Sequence, residues 1–158
     1  MKDIEKLRGM LYSQKWEESL NAADQLAAIK SDESIAILIQ ALKSDDNFIR
    51  NAASLGIREA DDSIASKALF DRIIELGANE EIGTLVYSLE TFDCSKYLME
   101  IVNLYFDGNY EVQVSTLTII EEQIFTLSYG EFQQVAQRLK QEGTTVEELR
   151  IKYTINEV

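Results

Sequence analysis

The sequence predicts an all-α protein assembled from repeated helical hairpins. Three observations predict it: apolar residues recur at helical spacing along nearly the whole chain, short motifs return at equivalent positions, and no strand pattern competes convincingly. The echoes are specific. Asn21-Ala22-Ala23 returns as Asn51-Ala52-Ala53, Ser34-Ile35-Ala36 as Ser63-Ile64-Ala65, and Ser54-Leu55 as Ser88-Leu89.

Taken in order, the first helix is expected over 2–12, where Ile4, Leu7 and Leu11 follow i, i+3, i+7 spacing. The second spans 15–29, with Trp16, Leu20 and Ala23 at helical spacing and Trp16 expected in the core. A third, over 33–43, carries the stripe Ile35, Leu38, Ile39 and Leu42; after the loop Ser44-Asp45-Asp46 a fourth follows over 47–59. The pattern restarts at Asp61-Asp62-Ser63 with a helix over 63–76 and, past Gly77-Ala78-Asn79, another over 80–92 that turns Ile82, Leu85, Val86 and Leu89 inward. In this register Phe48, Ala52 and Leu55 match Ile82, Val86 and Leu89, making one apolar face. Helices over 96–106 and 110–126 flank the turn Asp107-Gly108-Asn109. Capping boxes at Ser128-Tyr129-Gly130-Glu131 and Thr145-Val146-Glu147-Glu148 announce the last two, over 130–142 and 146–154.

At 158 residues the chain is the size of a single domain, 1–158, and 46% apolar content gives it a core. Twenty-eight acidic residues against fifteen basic ones leave a formal charge of −13. That balance repels nucleic acid and anionic membranes and favours a basic protein partner. The N-terminal residues carry no apolar secretory segment and one cysteine permits no internal disulfide, so a cytoplasmic protein is expected. With no histidine, the commonest neutral-pH acid/base and metal ligand is missing. No cofactor and no metal are expected.

Leu38–Leu69, "LIQALKSDDNFIRNAASLGIREADDSIASKAL", resembles a HEAT repeat of the short bacterial kind. A leucine-striped first helix, an acidic loop, the pair Ile49-Arg50, the small residues Ala52-Ala53 and then Leu55 fit that family's pattern. The match is fair over the next repeat, where Thr84 replaces the arginine, and weak from residue 95 onward. The resemblance implies a right-handed α-solenoid of about four to five hairpins, with second helices lining a concave surface. It also implies that Arg50 reaches back to Asp45 or Asp46 and ties the loop to the helix behind it.

The expected binding surface is the outward face of those second helices. It comprises Asn47, Arg50, Asn51, Ser54 and Arg58 on one and Thr84, Tyr87, Ser88 and Thr91 on the next, rimmed by acids such as Asp45, Asp46, Glu59, Asp61, Asp62, Glu80 and Glu81. An exposed tyrosine and arginines are frequent interface anchors. The expected function is a non-catalytic module capturing a basic protein. Its sharper form is an immunity protein that neutralises a cognate toxin such as a nuclease; a HEAT adaptor or assembly factor uses the same physics. The residues alone leave both open, as they do the oligomeric state.

Other chemistry is weaker. Glu121 and Glu122 point about 100° apart on a helix and form no pair by sequence. Asp107-Gly108-Asn109-Tyr110-Glu111 lacks the alternating ligands of a calcium loop. Cys94, beside Asp93, reads as a buried small apolar residue. HEAT-like lyases and glycosylases would need an apolar pocket or a basic groove, neither of which the polar strip and the acidic balance suggest.

Overall fold

The computed structural model describes residues 3–78 and 81–156; position 2 of the first expected helix, and Asn79 and Glu80, lie outside them. The chain is mainly helical, as expected, and divides into two compact units, Met1–Phe92 and Asp93–Val158.

The first unit contains α1 (Ile4–Leu11), α2 (Trp16–Ile29), α3 (Asp32–Ala41), α4 (Asn47–Ala60), α5 (Ser63–Leu76) and α6 (Gly83–Leu89). Aspartates and serines start most of these helices by accepting hydrogen bonds from orphan amides. Asp46 accepts from Phe48 and Ile49, Asp62 from Ile64 and Ala65, and Ser31 forms a reciprocal box with Ser34. Left-handed Lys30 and Asp61 and positive-φ Gly77 end α2, α4 and α5.

At the centre α2 packs along α4, and the echoed Ala22-Ala23 and Ala52-Ala53 are all fully buried. The approach is so close at Gly56 that an added Cβ would lie 3.0 Å from the carbonyl oxygen of Ala23. The repeated motif is therefore a packing device: small side chains let two helix backbones approach each other.

Because α4 also touches α3, α5 and α6, its buried arc is wider than the sequence register implies. Ile49, Ala52, Ala53, Gly56 and Ile57 face inward, whereas Phe48 is 59% exposed and Leu55 only half-buried. The matched face on α6 holds: Val86 and Leu89, with Ile82 at its N-cap, are fully buried. Trp16 also departs from its expected core position. It is 37% exposed and tilts against Phe48 with ring centroids 6.1 Å apart.

The second unit contains α7 (Leu98–Asp107), α8 (Tyr110–Glu122), β1 (Ile124–Leu127), α9 (Tyr129–Gln141) and β2 (Lys152–Ile155). Two strands replace expected helix. The helix over 110–126 stops at Glu122, and Ile124–Leu127 alternates in burial, with Phe125 and Leu127 inward, as a strand does. Its partner β2 runs parallel to it in the register Phe125 to Tyr153.

The helix expected over 146–154 does not form. The Glu148 amide does donate to Thr145 Oγ, but the Glu148 carboxylate turns to the hydroxyl of Thr144, so the capping box is half made. Arg150 then adopts φ 55°, and a single turn gives way to β2. At Ser128 the box is complete, and α9 follows it. Asp107-Gly108-Asn109 is the turn between α7 and α8, with Asn109 capping α8.

Candidate functional site

The polar strip expected to floor an open groove is in large part a helix contact. Arg50 is 4% exposed and reaches back as the resemblance implies, but to backbone carbonyls: its guanidinium donates to Ser44 and Asp45 oxygens at 3.0 Å each and to the Asn47 side chain. Asn47 in turn donates to Glu81. Ser54 and Ser88 are buried and meet each other, Oγ to Oγ, at 3.2 Å where α4 packs on α6. Small hydroxyls satisfied by their own helices allow that approach: Ser54 donates to Asn51 and Ser88 to Thr84 backbone oxygens. Arg50, Ser54 and Ser88 are thus structural and closed to a partner. Asn51 and Thr84 are half-buried beside that contact, and the side-chain oxygen of Asn51 has no partner among the described residues.

The rim also differs from expectation. The Asp62 carboxylate is engaged as the cap of α5, Asp61 is the left-handed residue ending α4, and neither lines the groove between α2, α4 and α6. Thr91 is exposed beyond the end of α6.

What the unit does build is an open groove of about 460 Å³ between α2, α4 and α6. Leu20, Ala27, Ala28 and Leu55 give it apolar walls, and Asp24, Glu59, Lys30, Arg58 and Tyr87 give it polar edges. Three expected residues, Arg58, Glu59 and Tyr87, meet here. Arg58 lies over the Tyr87 ring at 4.2 Å, donates to the Tyr87 carbonyl at 2.6 Å and stands 3.7 Å from the Glu90 carboxylate. This clasp fixes Tyr87, which remains 45% exposed.

Asp24 lies outside the expected surface, which covered only the helices over 47–59 and 80–92. Its spacing of i, i+4 and i+7 with Leu20 and Ala27 places these three along one side of α2 and was the available signal. Partial burial raises the Asp24 carboxyl above the ordinary aspartate range, and the nearby Glu59 charge raises it further. No described cation is ion-paired with Asp24 or Glu59.

In the second unit, burial and then Asp93 push the Cys94 thiol up to about 12, so at neutral pH it is a protonated, inaccessible group. Glu121 and Glu122 are exposed on α8. Among the described residues no three histidine, cysteine, aspartate or glutamate side chains are grouped to hold a metal, and no helix is long and apolar enough to cross a membrane. Comparison with protein-family models, curated proteins and solved structures finds no match to the chain.

Proposed function

We propose that the chain is a non-catalytic protein-binding module that captures a basic partner in the groove between α2, α4 and α6. One observation carries the reading: Asp24 and Glu59 line this groove together, burial first and the Glu59 charge second raise the Asp24 carboxyl, and neither has an ion-pair partner among the described residues. A lysine or arginine entering from a partner relieves that repulsion. Its aliphatic stem lies on Leu20, Ala27 and Leu55, and Tyr87 stands beside it as an anchor already held by Arg58. The charge of −13 steers such a partner toward the protein.

The test compares wild type with Asp24→Asn/Glu59→Gln as bait in a native lysate at low and high salt, with bound proteins identified by mass spectrometry. A stoichiometric basic protein held by wild type and lost from the double variant supports the reading. Equal retention by both, or a partner without basic character, refutes it. The sharper form, an inhibitor that neutralises a cognate toxin, requires in addition that the captured protein be toxic and that wild type relieve the toxicity better than the double variant. An adaptor would bind without relieving anything.

We read the first unit as HEAT-like on the α3–α4 hairpin, its acidic Ser44-Asp45-Asp46 loop and the bonds from Arg50 back to that loop. A second hairpin, α5–α6, continues the pattern.

A further inference from the structure

We propose that a second groove, between α7 and α9, binds the main chain of an extended, uncharged peptide segment through a row of carboxamides. The groove has an open volume of about 430 Å³ and is lined by Met99, Asn103, Gln134, Gln137, Arg138 and Gln141. Gln134, Gln137 and Gln141 follow i, i+3, i+7 spacing on one face of α9, and Met99 and Asn103 are four apart on α7. Among the described residues none of the four carboxamides forms a hydrogen bond, so each keeps its donors and acceptor for a ligand.

The one charged group in the lining is neutralised from within. Arg138 is 2.9 Å from both the Asp107 and the Glu142 carboxylates and lies over the Phe106 ring at 5.7 Å. The groove therefore offers many hydrogen bonds, and its single cation is already tied to two carboxylates, which leaves that cluster with one net negative charge. A phosphate would need a free cation here, and a basic segment would need free carboxylates.

A carboxamide carries a carbonyl acceptor and an N–H donor side by side, the same pair that a peptide unit presents, so each can close two bonds with a main-chain segment. From Gln134 to Gln141 the helix rises about 10.5 Å. An extended chain covers that distance in about three residues. The amide row thus tracks one short strand, while Met99, unbranched and polarisable, adapts to side chains of different shape. Recognition through the main chain makes the groove tolerant of peptide sequence. This site is independent of the groove between α2, α4 and α6, so failure of either reading leaves the other standing.

The experiment uses a phage-displayed library of random twelve-residue peptides, selected on the full chain and counter-selected on Gln134→Ala/Gln137→Ala/Gln141→Ala. Synthetic forms of the surviving peptides are then titrated by calorimetry. The expected result is binding that weakens at least tenfold in the triple variant and on N-methylation of alternate main-chain amides, with much smaller losses on alanine scanning of the peptide. No clone that discriminates the two proteins, or binders indifferent to N-methylation, overturns the proposal. So does a glycan array on which oligosaccharides rather than peptides make the distinction. Circular dichroism checks the fold of the triple variant; if it is disturbed, Gln137→Glu, which keeps the shape and removes the NH₂ donor, is judged by the same criteria.

Discussion

Cys94 offers a quantitative test of the second unit, because its thiol is fully buried and its pKa is raised from 9.0 to about 12. In the unfolded chain the thiol ionises near pH 9, whereas in the folded protein it holds its proton until about pH 12. Between those values the native state binds more protons than the unfolded state, so stability falls as pH rises. Below pH 9 this contribution is absent. The loss is about 0.4 kcal/mol at pH 9 and about 1.4 kcal/mol at pH 10. The contribution of this one thiol is isolated by difference. Urea unfolding of wild type and Cys94→Ala is measured from pH 7 to pH 10 under reducing conditions. The alanine variant carries a nearly constant penalty of about 1 kcal/mol for lost packing. Wild type should surrender its advantage as pH rises, the difference passing from about 1 kcal/mol in its favour at pH 7 to about 0.4 kcal/mol against it at pH 10. A chromogenic disulfide reagent adds a kinetic readout: it should label Cys94 only through opening of the fold, at a rate that increases with urea. A pH-independent difference, or labelling of the native protein at the rate of a free thiol, would refute the burial argument.

Further predictions concern the first unit. Gly56→Ala gains about 1 kcal/mol of helix propensity but drives a Cβ to 3.0 Å from the Ala23 carbonyl, so a net loss of about 1 kcal/mol is expected by thermal melting. Gly9→Ala, where no atom lies within 4 Å of the added Cβ, is the control and should stabilise by about 0.5–1 kcal/mol. Asp24→Asn should raise free-protein stability at neutral pH by a few tenths of a kcal/mol. The sign follows from its raised carboxyl pKa, since the native state prefers the neutral form; in wild type the penalty fades as pH falls through that pKa. The same substitution should weaken capture of a basic partner, and a protein destabilised by it would contradict the crowding of Asp24 by Glu59. Tyr87→Ala should shorten the lifetime of a captured complex in surface plasmon resonance, with little change in association rate. An unaltered dissociation rate would remove Tyr87 from the interface.

The helical content was legible because amphipathic periodicity is local. The helix expected over 63–76 is observed at Ser63–Leu76, and that expected over 15–29 at Trp16–Ile29. The β1–β2 pair was not legible. Ile124, Phe125 and Leu127 read equally well as the end of an apolar helix, and only the distant Lys152–Ile155 segment decides between the two. The same limit governed the site. Arg50, Ser54 and Ser88 look like surface residues by type; Arg50 folds back onto the Ser44-Asp45 loop, and Ser54 and Ser88 are buried where α6 covers α4, which periodicity within α4 does not encode. Arg58, Glu59 and Tyr87 were found because their side chains stay partly accessible on the chosen face. Asp24 needed knowledge that α2 borders the same groove.

The parallel pairing of β1 with β2 sets an order for biosynthesis. Parallel neighbours require a crossover, here the stretch containing α9, so β1 has no strand partner while it is being made. All elements of the first unit have been translated by Phe92 and can assemble as synthesis continues. The second unit has to wait for Lys152–Ile155 to emerge from the ribosome, leaving Phe125 and Leu127 without their strand partner until then. Nascent chains stalled between these two points would expose a chaperone-binding or protease-sensitive segment around Ile124–Leu127, and release of β2 would close it.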